Sequence, residues 1–214
     1  MKILILCTGR TGSTSLFNLI SSHLQYKNCF LEPFTNSENT IKRWGVRDTI
    51  EPYVGLDNVV IKTFITSFKP DADFDDYPTY WDWMCKHFDK IILLSRENKQ
   101  LQAESLVYHL KIRHTINDYN NWHKKKYYDL NPNDESDIQN TINYLHQSDE
   151  AMIPFIEKGY PHFTFEDLFI RKDKKLMMDL FEYINIELDM ILYEKFVVSD
   201  NNVVRLTEKP TNLI

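Results

Sequence analysis

The chain has 214 residues, with 25 Lys and Arg against 31 Asp and Glu, so its formal net charge is −6 with histidine neutral. This length suits one domain, and a hydrophobic share of 43% with 14% aromatic residues supplies a sizeable core. The composition excludes a disordered, collagen-like or coiled-coil chain, and the acidic balance argues against a general nucleic-acid binder. We therefore predict a single domain over residues 1–214 and no nucleic-acid partner.

The cysteines and the first residues indicate the cellular compartment. Cys7, Cys29 and Cys85 show no CxxC or Cys/His ligand spacing, which disfavours a disulfide framework and a structural zinc site. The opening run MKILILC looks like the start of a signal peptide, but it ends at Cys7 and is too short for export or a membrane span. These features predict a cytoplasmic protein without a membrane span.

Apolar runs and helical periodicity alternate along the chain. The segment Lys2–Cys7 is rich in Ile and Leu, as is typical of a strand buried on both faces. Apolar residues then recur at helical spacing from Leu16 to Leu24, with Ser13 or Thr14 available as the N-cap. Further strands are predicted at Asn28–Leu31, Asn58–Thr63, Lys90–Ser95 and His162–Phe165, and helices at Asn98 to about His123, Glu135–Glu157 and Lys174–Ile186. This order predicts an α/β protein with a P-loop-type three-layer fold, in which helices flank a central, mainly parallel sheet of about five strands.

The loop between the first strand and helix has the composition of a phosphate-binding turn. Free N–H groups and the helix dipole attract an anion at such a helix start. Two glycines, one arginine and three hydroxyl side chains add close approach, charge and donors: Gly9, Gly12, Arg10, Ser13, Thr14 and Ser15. A Walker A loop fits poorly, because alignment on Gly12 puts Cys7 at its first glycine and Ser13 at its lysine. An ordinary strand-to-helix turn is the alternative interpretation.

This loop, CTGRTGSTSL, resembles the 5′-phosphosulfate loop of sulfotransferases that use PAPS (3′-phosphoadenosine 5′-phosphosulfate), where a basic residue precedes [ST]-[GA]-[ST]-[ST]. Arg rather than Lys at position 10 resembles the tyrosylprotein sulfotransferases and the bacterial trehalose-sulfating family. The resemblance implies PAPS as co-substrate, PAP as product and no metal. It also implies a set of residues around the 5′ end of the nucleotide: Arg10, Thr11, Gly12, Ser13, Thr14 and Ser15.

A second motif follows the strand Lys90–Ser95, where LSRENKQLQAES resembles the same bacterial family. In sulfotransferases a strand-end Arg and a Ser about two turns later hold the 3′-phosphate of PAPS, which implies this role for Arg96 and Ser105. Arg96 would lie at the carboxyl end of a parallel strand, where such sheets bind ligands, and arginine engages phosphate in a bidentate way. A surface pair of Arg96 with Glu97 or Glu104 is the alternative.

A third stretch, HFTFEDLF at 162–169, resembles the [RY]-[YF]-E-[DE]-L signature near the end of the sulfotransferase fold. In that family the residues just before the acidic pair approach the adenine, which implies Thr164 or Phe165 beside the base. A last strand followed by a helix that begins at Glu166 and Asp167 is compatible with the same residues.

Three residues are the candidate catalytic groups. Sulfuryl transfer needs a base for the acceptor hydroxyl and positive charge at the leaving phosphate. Glu32 follows the second strand, and the trehalose-sulfating enzymes have a Glu in a comparable stretch, so it is the predicted base; simple termination of the strand before Pro33 is the alternative. Arg10 is predicted to stabilise the leaving oxygen. Lys62 is either a second catalytic cation or a strand-end lysine in solvent.

Together these motifs predict a PAPS-dependent sulfotransferase that acts on a hydroxyl of a carbohydrate or small-molecule acceptor. Two alternatives stay open: a P-loop-type nucleotide or small-molecule kinase, and a non-catalytic PAP-binding module. Five aromatic side chains offer stacking surfaces for an acceptor or belong to the core: Trp44, Tyr80, Trp81, Trp83 and Trp122. The sequence names neither the acceptor nor the oligomeric state.

Overall fold

A computed structural model describes residues 1–23, 28–32, 52–53, 55–66, 77–115 and 135–198 of the chain. Within them lies a sheet of five strands: β1 (Lys2–Cys7), β2 (Asn28–Leu31), β3 (Val59–Phe64), β4 (Lys90–Ser95) and β5 (His162–Thr164). The strands lie in the order β2-β3-β1-β4-β5, and every neighbouring pair is parallel. The predicted α/β fold with a central parallel sheet is confirmed.

Helices cover both faces of this sheet. They are α1 (Ser13–Ser21), α2 (Tyr77–Cys85), α3 (Lys99–Thr115), α4 (Glu135–Glu150), α5 (Ile153–Glu157), α6 (Lys174–Tyr183) and α7 (Met190–Tyr193), with π-helical turns at Glu166–Ile170 and Glu194–Val198. The part of the helix predicted at Asn98 to about His123 that lies beyond residue 115 is outside the described residues.

Two predicted helices end earlier than their apolar periodicity indicates. The prediction of one helix over Glu135–Glu157 is wrong, since α4 ends at Glu150 and α5 begins at Ile153. Pro154 explains the break, because proline has no N–H to continue the ladder but is accepted in the first turn of a helix. Helix α6 stops at Tyr183, because Asn185 takes a left-handed φ of 56° just beyond it.

Two predicted strands have slightly different bounds for similar backbone reasons. Asn58 has a φ of 51°, which is outside the extended region, so β3 begins one residue later at Val59. Phe165 has helical φ and ψ of −56° and −40°, so β5 ends at Thr164. The backbone dihedral angles of Asn58 and Phe165, rather than the polarity of their side chains, therefore set the start of β3 and the end of β5.

Alternate residues of each strand face the two helical layers. On β1, Ile3, Ile5 and Cys7 pack in a cluster with α1 and α6. Leu4 and Leu6 face the opposite side and pack with α2 and α5. Burial on both faces explains why the strand is a continuous apolar run rather than an alternating one.

Candidate functional site

The parallel topology brings the predicted site residues to one edge of the sheet. The residues that follow β1, β2, β4 and β5 all lie at the carboxyl ends of strands, the edge at which open α/β sheets bind ligands. The loop 8–12 follows β1, Glu32 follows β2, Arg96 follows β4 and Phe165 follows β5. The sequence motifs that were separate along the chain therefore become neighbours in the fold.

The loop between β1 and α1, residues 8–12, turns four of its carbonyl groups toward donors of the protein. The donor–acceptor pairs are Thr11 Oγ1 to Thr8 O (3.0 Å), Gln102 Nε2 to Gly9 O, Arg96 Nη1 to Arg10 O (3.3 Å) and Leu16 N to Gly12 O (3.1 Å). Carbonyl oxygens repel an anion, whereas N–H groups and a helix N-terminus attract it. A loop whose carbonyls are engaged elsewhere is suited to bind an anion.

Left-handed backbone shapes this loop at two positions. Arg10 has a φ of 61° and Gly12 a φ of 69°. A Cβ atom at Gly12 would lie 2.7 Å from the ring of Phe169 and 2.9 Å from that of Phe165, so glycine alone fits there. Gly12 also occupies the N-cap position of α1, so the prediction that Ser13 or Thr14 caps this helix is wrong.

The hydroxyl side chains of the loop differ in their surroundings. Thr11 is buried and donates to Thr8 O, which leaves this hydroxyl engaged by the loop itself. Ser13 is buried, Thr14 is exposed and Ser15 is partly exposed at the start of α1. Contact of these residues with a nucleotide stays a prediction.

A hydrogen bond joins Arg10 of the first predicted anion motif to Ser105 of the second. Arg10 Nε donates to Ser105 Oγ at 2.8 Å, although the residues are 95 positions apart. Helix α3 also contacts the loop through Leu106, which packs over Gly9. A Cβ atom added to Gly9 would lie 3.8 Å from the Leu106 side chain. The side chains expected at the two ends of one nucleotide thus lie in direct contact.

Arg96 is buried, with 1% of its surface exposed, so the alternative of a surface pair is wrong. Its guanidinium lies over the ring of Phe165 at 4.5 Å, and its Nε lies 3.6 Å from Glu166 Oε1. The same carboxylate accepts the N–H groups of Glu97 at 2.8 Å and Asn98 at 3.1 Å. Glu166 therefore neutralises Arg96 and also fixes the chain just after it.

The two residues predicted near the adenine lie beside Arg96. Thr164 Oγ1 donates to Asp167 Oδ2 at 2.7 Å. This hydrogen bond is the main cause of the lowered pKa of Asp167, and Arg171 adds to it. Phe165 is buried between Arg96 and Gly12. Their contact with a base stays a prediction, while the strand followed by a helical turn at Glu166 matches the alternative interpretation.

Glu32 and Lys62 form an ion pair between the ends of β2 and β3. The Lys62 side chain is 2% exposed and that of Glu32 29%, so the alternative of a lysine in solvent is wrong. The Lys62 ammonium also lies 3.9 Å from the ring centre of Phe64. Glu32 takes a φ of 52° as the strand ends, and its N–H donates to Lys62 O at 2.8 Å. Glu32 consequently ends the strand and supplies the counter-ion of a buried cation.

Cys7 lies between this ion pair and the loop. Burial raises the pKa of its thiol, while the Lys62 ammonium and the hydrogen bond with Ser13 act in the opposite direction. Its Sγ donates to Thr63 O at 3.3 Å. The group is therefore a neutral thiol in the floor of the site, within electrostatic reach of Lys62.

The sequence did not indicate a site role for two residues that lie here, Gln102 and Glu166. Both lie inside motifs already recognised, but a Gln or Glu within a helix or a helical turn normally faces solvent. Gln102 is fully buried, three residues before Ser105 on the same face of α3. The i, i+3 spacing with Ser105 was the available signal.

No protein-family model matches this chain, and no curated protein matches it either. Within the described ranges, no helix combines the length and apolar character needed to cross a membrane. The described residues also contain no group of three or more His, Cys, Asp or Glu side chains arranged to hold a metal ion. The functional argument therefore depends on the residues themselves.

Proposed function

We propose that this chain is a PAPS-dependent sulfotransferase that transfers a sulfuryl group to a hydroxyl of a carbohydrate or small-molecule acceptor. The observation that carries the proposal is the hydrogen bond between Arg10 and Ser105, reinforced by Arg96, which donates to the carbonyl of Arg10. A nucleotide with phosphate groups on both its 5′ and 3′ positions needs two adjacent anion sites. These two contacts support the proposal, because they bring the loop 8–12 against Arg96 and Ser105 of the second predicted anion motif.

The reaction uses three residues at the same sheet edge. The acceptor hydroxyl gives its proton to the Glu32 carboxylate while its oxygen forms a bond to sulfur. The bond between sulfur and the bridging phosphate oxygen breaks, and PAP leaves with the electron pair. Arg10 stabilises the negative charge that grows on that oxygen, and Lys62 holds the carboxylate of Glu32 in place.

Binding of PAP and AMP without Mg²⁺ tests the nucleotide assignment. PAP should bind about 10- to 150-fold more tightly, because each charge-assisted hydrogen bond to the 3′-phosphate contributes about 1.5–3 kcal/mol. Ser105→Ala should weaken PAP more than AMP in calorimetry, because it removes the 3′-phosphate donor itself but only the support of Arg10 on the 5′ side. Ser148→Ala is the matched control, since this serine is also buried but donates to Tyr144 O on α4.

Equal affinity for PAP and AMP would contradict the 3′-phosphate site. A strict Mg²⁺ requirement for nucleotide binding would favour a kinase instead. If PAP binds as expected, screening of acceptor mixtures with labelled PAPS identifies the hydroxyl compound, and a chain that binds PAP but sulfates nothing would be a binding module.

A further inference from the structure

Gln102 lies at the centre of a hydrogen-bond network behind the phosphate loop. The side chain is fully buried on α3. Its Nε2 donates to Thr8 Oγ1 at 2.9 Å and to Gly9 O, while its Oε1 accepts from Lys99 Nζ at 3.2 Å. Because an ammonium only donates, Lys99 fixes which end of the amide is oxygen and which end faces the loop.

The orientation of this amide determines the direction of a loop peptide. In a trans peptide the carbonyl of Gly9 and the N–H of Arg10 point in opposite directions. Gln102 holds the Gly9 carbonyl toward α3, so the Arg10 N–H points away from α3. Arg10 also has a left-handed φ of 61°, a conformation that occurs in turns whose successive N–H groups form a concave anion site. Without the hydrogen bond from Gln102, the peptide group between Gly9 and Arg10 would turn its carbonyl toward the anion in part of the population.

We propose that Gln102 is a positioning residue for the 5′-phosphate site, which keeps the Gly9 carbonyl away from the bound anion. This inference rests on the proposed function, because it presupposes that the loop binds the 5′ end of an adenine nucleotide. Glutamine suits the task, since it donates two hydrogen bonds to the loop and accepts one from Lys99. Lys99 is in turn anchored to Asp149 of α4 at 2.5 Å.

The test compares two nucleotides that carry one phosphate each, AMP on the 5′ side and adenosine 3′-phosphate on the other. In calorimetry without Mg²⁺, Gln102→Met should weaken AMP about tenfold, the effect of losing one buried hydrogen bond, and should change adenosine 3′-phosphate by less than about twofold. Gln100→Met is the matched control, because this exposed side chain of the same helix donates to Glu104 Oε1 at 2.8 Å and not to the loop. It should change neither affinity.

Native affinity of Gln102→Met for AMP would overturn the inference, and so would an equal loss for both nucleotides, which indicates general damage to the fold. If Gln102→Met does not fold, Gln102→Glu keeps the shape and the bond from Lys99 but cannot donate to the loop, and it must weaken AMP selectively. A native chain that binds neither nucleotide nor PAP overturns the proposed function and this inference together. If the native chain binds PAP more tightly than AMP but Gln102→Met does not weaken AMP, the inference is overturned and the proposed function stands.

Discussion

The ion pair of Glu32 with Lys62 is uneven, because the lysine is almost fully buried while the carboxylate reaches solvent. Removing the carboxylate leaves an ammonium in the protein interior without a counter-ion. Removing the ammonium leaves a carboxylate that water still hydrates. The two residues therefore contribute differently to the stability of the fold, even though they share one contact.

Glu32→Gln should lower the free energy of unfolding by about 3 kcal/mol, whereas Lys62→Met should lower it by about 1 kcal/mol or less. Urea denaturation at pH 7 measures both values. The exposed pair of Lys158 with Asp82, at 46% and 47% exposure, is the control, and Lys158→Met should cost less than about 1 kcal/mol. A larger loss for Lys62→Met than for Glu32→Gln would contradict this account of the pair.

The same Glu32→Gln variant tests the catalytic role where it remains folded. A positioned base contributes about 100- to 10,000-fold to the rate, so turnover should fall by that range once an acceptor is known. PAP affinity should stay near native, because the acceptor hydroxyl and not the nucleotide contacts the base. A parallel loss of PAP affinity would assign Glu32 to the nucleotide site or to the fold.

At the scale of elements, the conformation of the loop 8–12 depends on the π-helical turn 166–170 as much as on the sequence of the loop itself. The rings of Phe165 and Phe169 close over Gly12 and leave no space for a side chain. Glu166 in the same turn holds Arg96 and the first residues after β4. The last strand and its turn thus support both predicted anion motifs from one side.

Gly12→Ala should destabilise the fold by about 2–5 kcal/mol, the sum of a left-handed alanine and an overpacked contact with two rings. Gly159→Ala is the control, because Gly159 also has a positive φ, 84°, but nothing lies within 4 Å of its Cβ position. It should cost only about 1–2 kcal/mol. Denaturation curves that show equal losses would mean that the rings move aside.

For the whole molecule, the edge strand β5 is attached to the sheet through β4, and a histidine reinforces this attachment. Ser95 Oγ and His162 Nε2 lie 2.8 Å apart. Burial lowers the pKa of His162 below its ordinary 6.5, and Lys99 acts in the same direction, whereas Asp149 and Asp167 oppose it. The folded chain therefore resists protonation of this group.

The free energy of unfolding should therefore decrease as the pH is lowered through the range in which this histidine titrates. Below pH 6.5 the unfolded chain binds a proton that folded His162 does not yet accept, so stability is lost as pH falls from 6.5 to the lower folded pKa. Above pH 6.5 the group is neutral in both states and has no effect. His162→Gln should reduce the difference in melting temperature between pH 7.5 and pH 5.5, and an unchanged difference would exclude this histidine as its source.

Local patterns determined the strands, the fold class and the three motifs. An apolar run such as Lys2–Cys7 indicates burial on both faces wherever the strand lies, and the glycines and hydroxyls after it indicate a phosphate loop. These properties depend on residues a few positions apart. The helical spacing of Ile138, Ile142, Leu145 and Ile153 predicted one helix across Pro154, and the break was missed although the proline itself is visible in the sequence.

Only the tertiary structure decided which side chains act together. That Lys62 is buried against Glu32, that Arg96 stacks on Phe165, and that Gln102 holds the Gly9 carbonyl are contacts between residues 30 to 93 positions apart. Periodicity and motif spacing carry no information over such distances, because a polar residue looks the same in sequence whether it faces solvent or a buried partner. The parallel sheet order, which places the carboxyl ends of distant strands side by side, is what converts separate motifs into one candidate site.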